Sequence, residues 1–144
     1  MAQTWLIVAD GARARFFERK SASELSEFDV MVSPEGRTDE GSLASDRPGR
    51  SFDSRGDGRH AMEPGHSARE HEATAFAKRV CERLEEARLA GSVDKLVLVA
   101  APRFLGHMRA SLSKGTQGIV ALSIDKELTQ ASPDEIAEHL PGVL

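Results

Sequence analysis

Cysteine is nearly absent from this chain. Cys81 stands alone among 144 residues, so no internal disulfide framework can hold the fold, and its place in an apolar stripe reads as a buried, unreactive thiol. No apolar run approaches the ~18 residues that cross a bilayer, and no membrane partner is expected. The opening MAQTWLIVADGAR has no basic region before its short apolar run and no small-residue cleavage site after it. It reads as a strand rather than a signal peptide, and the expected location is the cytoplasm. A surplus of positive charge is missing too. A formal net charge of −4 excludes coating of nucleic acid through bulk charge and leaves only a local basic patch for such contact. Nucleophile–base pairs, phosphate-binding motifs and a dinucleotide fingerprint are all lacking; for the fingerprint, no strand leads into Gly56 and Gly58. No cofactor is expected.

What is present is organised around residues 47–91, an arginine- and glycine-rich loop feeding one long amphipathic helix. Ala73, Phe76, Ala77, Val80, Cys81, Leu84 and Ala87 recur at three- and four-residue steps and make one apolar stripe. Ser67 and Glu70 form a capping-box pattern at the expected start, and Gly91 suits the left-handed conformation that ends a helix. Glu82, Arg83, Glu85, Glu86 and Arg88 read as its solvated face.

Before the loop, Thr4–Ala9, a two-residue turn at Asp10-Gly11, and residues 12–19 predict a β-hairpin. Arg13 and Arg15 alternate with Ala12, Ala14 and Phe16, which predicts one wet face, and Phe17 disturbs the period. Leu25–Val32 predicts a third strand. After the long helix, KLVLVAA at 95–101 is the aliphatic run of a central strand. Pro102 opens a helix bearing Phe104, Leu105, Met108 and Leu112. A turn region at 115–118 leads to a strand at 119–124, and Ser132-Pro133-Asp134-Glu135 caps a last helix carrying Ile136, Ala137 and Leu140. The order β-β-β-α-β-α-β-α, with a right-handed crossover placing strand four parallel to strand one, gives an α/β fold. Its mixed five-stranded sheet has order 3-2-1-4-5, the arrangement of ribonuclease H-like folds. A chain of this length is expected to form one domain over 1–144.

Residues 34–65 hold six of the twelve glycines and three of the six prolines, a long and functional or mobile loop by composition. Its basic part carries Arg47, Arg50, Arg55, Gly56, Gly58, Arg59 and His60. Arginine forks suit phosphate, and glycines allow close backbone approach. The same arginines could instead pair with Asp46, Asp53 and Asp57. A metal-dependent nuclease would draw on Asp10 and Asp125, with Glu18 joining if its face is right; equally, Asp10 serves the turn and Asp125 a cap. Arg55-Gly56-Asp57 spells an integrin-recognised tripeptide, which would suit an adhesin. His60, His66 and His71 lack the i, i+4 spacing of helix-borne zinc sites, so no metal is expected. His107 and His139 read as helix-surface residues.

The segments WLIVADGARARFFE, GRSFDSRGDGRHAMEP, EHEATAFAKRV, LVLVAAPRFLGHMR and DKELTQASPDEIAEHLP together resemble the bacterial host-attachment family, described as required for attachment to host cells. That family is similar to the middle domain of eukaryotic and archaeal class I release factors, whose basic, glycine-rich loop ends in Gly-Gly-Gln. Here the loop reads Ser54-Arg55-Gly56-Asp57-Gly58-Arg59-His60. The glutamines, Gln3, Gln117 and Gln130, all lie elsewhere. The resemblance therefore implies a loop that can reach RNA or a ribosomal surface and does not carry over peptidyl-tRNA hydrolysis, so a binding module is expected ahead of an enzyme.

Overall fold

The computed structural model describes residues 3–34 and 58–141, with residues 58–67 described by their backbone alone. In chain order these are β1 (Thr4–Ala9), β2 (Arg13–Arg19), β3 (Leu25–Val32), α1 (Gly58–Leu89), β4 (Lys95–Ala100), α2 (Pro102–Ser111), α3 (Lys114–Gln117), β5 (Val120–Ile124) and α4 (Pro133–Glu138). The five strands form one mixed sheet in the order β3-β2-β1-β4-β5. β1 pairs antiparallel with β2 and parallel with β4, and β4 pairs parallel with β5. The architecture and strand order expected from the sequence are those observed.

Strand alternation divides the apolar residues between two faces. Trp5, Ile7, Ala9, Ala14, Phe16, Leu96, Leu98 and Ala100 pack under the stripe of α1 (Phe76, Ala77, Val80, Cys81, Leu84, Ala87) and under Phe104, Leu105 and Met108 of α2. Leu6, Val8, Phe17, Val97 and Val99 face the other way and pack with Ile136 of α4. Each fully buried large apolar side chain contributes about 1.5–3 kcal/mol, and both faces of the central strands are dry. Gly91 ends α1 at φ 78°, a conformation that a side chain would strain.

Several expectations are corrected. α1 begins at Gly58, so Ser67 and Glu70 lie inside the helix and do not cap it. The Glu70 carboxylate reaches α2 instead, where it meets Arg103. The helix continues through Pro64, a residue normally confined to first turns because it has no N–H to donate. The expected loop over 34–65 is correspondingly shorter, and Gly58, Arg59 and His60 belong to the first turn of α1.

The β1–β2 turn is not a two-residue one. Strand pairing stops at Ala9 and Ala14, and the Asp10 carboxylate accepts from the Ala12 and Arg13 N–H groups at 2.8 and 2.9 Å. Phe17 does not break the β2 period; it faces the second core while Phe16 faces the first. The irregularity belongs to β3, where Phe16 pairs with Asp29 and Phe17 with Glu27, leaving Phe28 as a bulge. Nor is the Arg15 face wet, since residues 128–140 cover it. The 115–118 region contains a helical turn, α3, whose Thr116 N–H donates to the Ser113 side chain.

The charged face of α1 is also only partly solvated. Glu82 and Glu86 are exposed, whereas Arg83 bonds Asp29 at 3.0 Å and lies over the rings of Trp5 and Phe16. Glu85 and Arg88 bind each other and α3.

Candidate functional site

β1, β3, β4 and β5 all run in one direction, so their carboxyl ends share one margin of the sheet. The described chain stops at Pro34 on this side of the sheet and resumes at Gly58. At the close of β3, the Ser33 N–H donates to the Ala12 carbonyl at 2.8 Å. α1 runs back antiparallel to β1. Ala73 stands over Gly11, where a methyl group added to the glycine would lie 3.5 Å from the Ala73 Cβ. Residues 58–72 of α1 therefore project about 22 Å beyond the sheet at the rise of an α-helix. In open α/β sheets this end is where ligands bind.

On the α4 side of the margin, the Asp10 carboxylate is largely occupied. Its Oδ1 accepts from the backbone of the turn, and its Oδ2 lies 3.1 Å from the hydroxyl of buried Thr129. That hydroxyl has one proton to donate, and Glu127 Oε1 is nearer at 2.7 Å. Asp125 is exposed just beyond β5. It stands two strands from Asp10, roughly 10 Å at normal strand spacing. Glu18 belongs to the opposite end of the sheet, opposite Trp5, where it pairs with Lys20 at 3.2 Å. The nuclease residues thus share one margin only as Asp10 and Asp125. Among the described residues no group of three or more His, Cys, Asp or Glu could hold a metal ion.

On the α1–α2 side, Arg103 follows Pro102 directly after β4 and places Nη1 3.1 Å from Glu70 Oε1, with 67% of its side chain still exposed. His107, one turn on, is half-buried rather than on the helix surface. Its Nε2 lies 3.1 Å from Glu70 Oε2, close enough for charge attraction but without hydrogen-bond alignment. Its ring stands edge-on to Phe104. Arg79 Nη2 is enclosed with no hydrogen-bond partner, and the guanidinium lies 5.6 Å over the Phe76 ring. An unpaired buried guanidinium nitrogen is costly, and an anion would satisfy it. His71 and His139 are exposed.

Arg47, Arg50, Arg55, Gly56 and the Arg55-Gly56-Asp57 tripeptide lie outside the described residues, as do the side chains of Arg59, His60 and His66. The sequence places Gly58, Arg59 and His60 in the loop, and the fold sets their backbone at the projecting tip of α1. Glu70, Arg103, His107, Glu127 and Thr129 were not legible as a group. Glu70 carries a capping pattern of its own, and the partners come from helices and loops distant in sequence.

Residues 5–140 match the model of a protein family described as "Protein required for attachment to host cells". The chain belongs to this family. The match runs from β1, at Trp5, through α4. Among solved structures, a host-attachment fold of this kind is similar to a chain described as "Archaeal protein", with a TM-score of 0.52 and 11% identity. That alignment covers 98% of the present chain and 34% of the other, so the present chain spans about one third of its length. At that identity the likeness concerns the fold. No curated protein matches the sequence. Among the described residues no helix is long and apolar enough to cross a membrane.

Proposed function

We propose that this host-attachment protein acts as a non-catalytic binding module for RNA or a ribosomal surface at the carboxyl margin of its sheet. Arg47, Arg50, Arg55 and Arg59 would supply phosphate contacts, and Gly56, Gly58 and His60 would permit close approach. The observation that carries this reading is what flanks the segment. Ser33 just before it is tied to Ala12, the projecting tip of α1 follows it, and exposed Arg103 stands on the same side of the sheet. Arginine's planar fork suits phosphate, and a segment ordered on a polyanion binds in a salt-sensitive way. Asp10, the residue a two-metal nuclease would need first, holds the β1–β2 turn, which favours binding over hydrolysis.

Sucrose-gradient sedimentation of the wild type beside the Arg50/Arg55/Arg59 triple alanine variant tests the reading at low and moderate salt. Salt-sensitive co-migration of the wild type alone with ribosomes or RNA is expected. Free migration of both proteins at every salt would overturn it. The adhesin reading of Arg55-Gly56-Asp57 makes a different prediction, surface labelling on intact cells. The nuclease reading predicts magnesium- or manganese-dependent cleavage that Asp10→Asn abolishes.

A further inference from the structure

A cavity of about 280 Å³ opens between α2, α3 and the margin of the sheet formed by β4 and β5. It is lined by Leu98, Arg109, Leu112, Gln117, Val120 and Ser123. It shares no residue with the carboxyl-margin site. Leu98 and Leu112 are buried and Val120 is half-buried, so the floor is aliphatic. Ser123 pairs opposite Leu98 across β4 and β5, which brings its hydroxyl to the same face of the sheet. The rim is polar and partly fixed: Gln117 Nε2 donates to the Leu112 carbonyl at 3.0 Å. Arg109 and Ser123 make no side-chain hydrogen bond or ion pair among the described residues.

An apolar floor with two unengaged donors in the lining has a definite chemical preference. A cation would meet the Arg109 charge. A neutral hydrocarbon would offer neither the guanidinium nor the hydroxyl an acceptor. A bare inorganic anion would leave the aliphatic floor uncovered. The volume exceeds the about 150 Å³ that accepts benzene in an apolar protein cavity, yet it lies at the small end for ligand pockets. We infer that this cavity binds a small amphipathic carboxylate. The apolar body rests on Leu98, Leu112 and Val120, and the carboxylate accepts hydrogen bonds from the Arg109 guanidinium and the Ser123 hydroxyl. This is the charge-assisted pairing that arginine makes best.

Amide chemical shifts of the full chain, titrated with hexanoate, hexanamide and hexylammonium, test the inference. Hexanoate is expected to give saturable shifts centred on residues 98, 109, 112, 117, 120 and 123, with hexanamide weaker and hexylammonium silent. Arg109 is exposed, so Arg109→Gln should fold normally and weaken hexanoate at least about tenfold, as loss of one charge-assisted bond implies, while leaving hexanamide unchanged. Ser123→Ala should weaken hexanoate by less. Equal affinity for hexanoate and hexanamide, an Arg109→Gln variant that binds hexanoate like the wild type, or the absence of saturable shifts at these residues would each overturn the inference.

Discussion

Arg15 of β2 donates from Nη1 to the carbonyl of Ala131 at 2.7 Å, joining positions 116 residues apart in the sequence. The same nitrogen reaches the Thr129 carbonyl at 3.0 Å, and Nε and Nη2 grip both oxygens of Glu27, each at 3.0 Å. The guanidinium lies 5.0 Å over Phe17, and only 14% of the side chain is exposed. One arginine thus fastens the C-terminal segment to the sheet.

Replacing it should loosen that segment. Arg15→Ala leaves two enclosed carbonyls unpaired and is expected to cost about 2–3 kcal/mol, the range for hydrogen bonds to charged groups. Chemical denaturation measures the loss, and amide exchange at 128–140 should accelerate more than exchange in α1. Arg15→Lys keeps the charge without the fork and should restore only part of the stability. Uniform protection in Arg15→Ala would show that Ile136 and Leu140 hold the segment alone.

Acid should weaken the α1–α3 contact through Glu85. Its carboxylate accepts from the hydroxyls of Ser113 and Thr116 and from Arg88, which holds its pKa at about 2 against an ordinary 4.5. The folded value lies below the unfolded one. The stabilisation is therefore fully present above about pH 4.5 and is lost as pH falls through about 2. Denaturation midpoints of the wild type should drop across this window. Glu85→Gln should be less stable at neutral pH and flatter between these limits; parallel curves would contradict the assignment.

Two glycines should respond to alanine with opposite signs. At Gly115 a methyl would lie 2.5 Å from Arg88 Cζ, and the guanidinium is held in place by Glu85. Gly115→Ala should therefore destabilise by about 1–3 kcal/mol through overpacking. Gly106, in the middle of exposed α2 surface, has open space within 4 Å. Gly106→Ala should stabilise by about 0.5–1 kcal/mol. Thermal melts of the two variants decide both.

The lone thiol should be inert until the protein unfolds. Burial, with the neighbouring Glu82 charge adding to it, pushes the Cys81 pKa up to about 12, and its Sγ contacts the Met108 carbonyl at 3.3 Å. Only a thiolate is nucleophilic. Alkylation by iodoacetamide at neutral pH should track global unfolding in denaturant. Rapid labelling of the native protein would show that α1 and α2 part locally.

Much of the fold was legible because its signals are local and redundant. The α1 stripe, the aliphatic β4, Pro102 at a helix start and Ser132 with Glu135 each state their element within a few residues. The observed capping box at Ser132 is an instance. The same local pattern at Ser67 and Glu70 misleads, because nothing within that window registers that the helix already runs from Gly58. Alternation at Arg13 and Arg15 likewise says which residues share a face but not what covers that face.

The candidate site was legible only as composition. Arginines and glycines at 47–60 mark a basic segment, while Glu70, Arg103 and His107 acquire a common address only when α1 lies across β1 and β4. Hydrophobic periodicity and turn chemistry act over a few residues, so the sequence by itself determined the elements, their order and the two-sided core. The tie of Ser33 to Ala12, the capture of Glu70 by Arg103, the approach of Thr129 to Asp10 and the anchoring of Arg15 were decided by tertiary structure. These contacts join residues tens to more than a hundred positions apart, whose partners exist only once the sheet has closed.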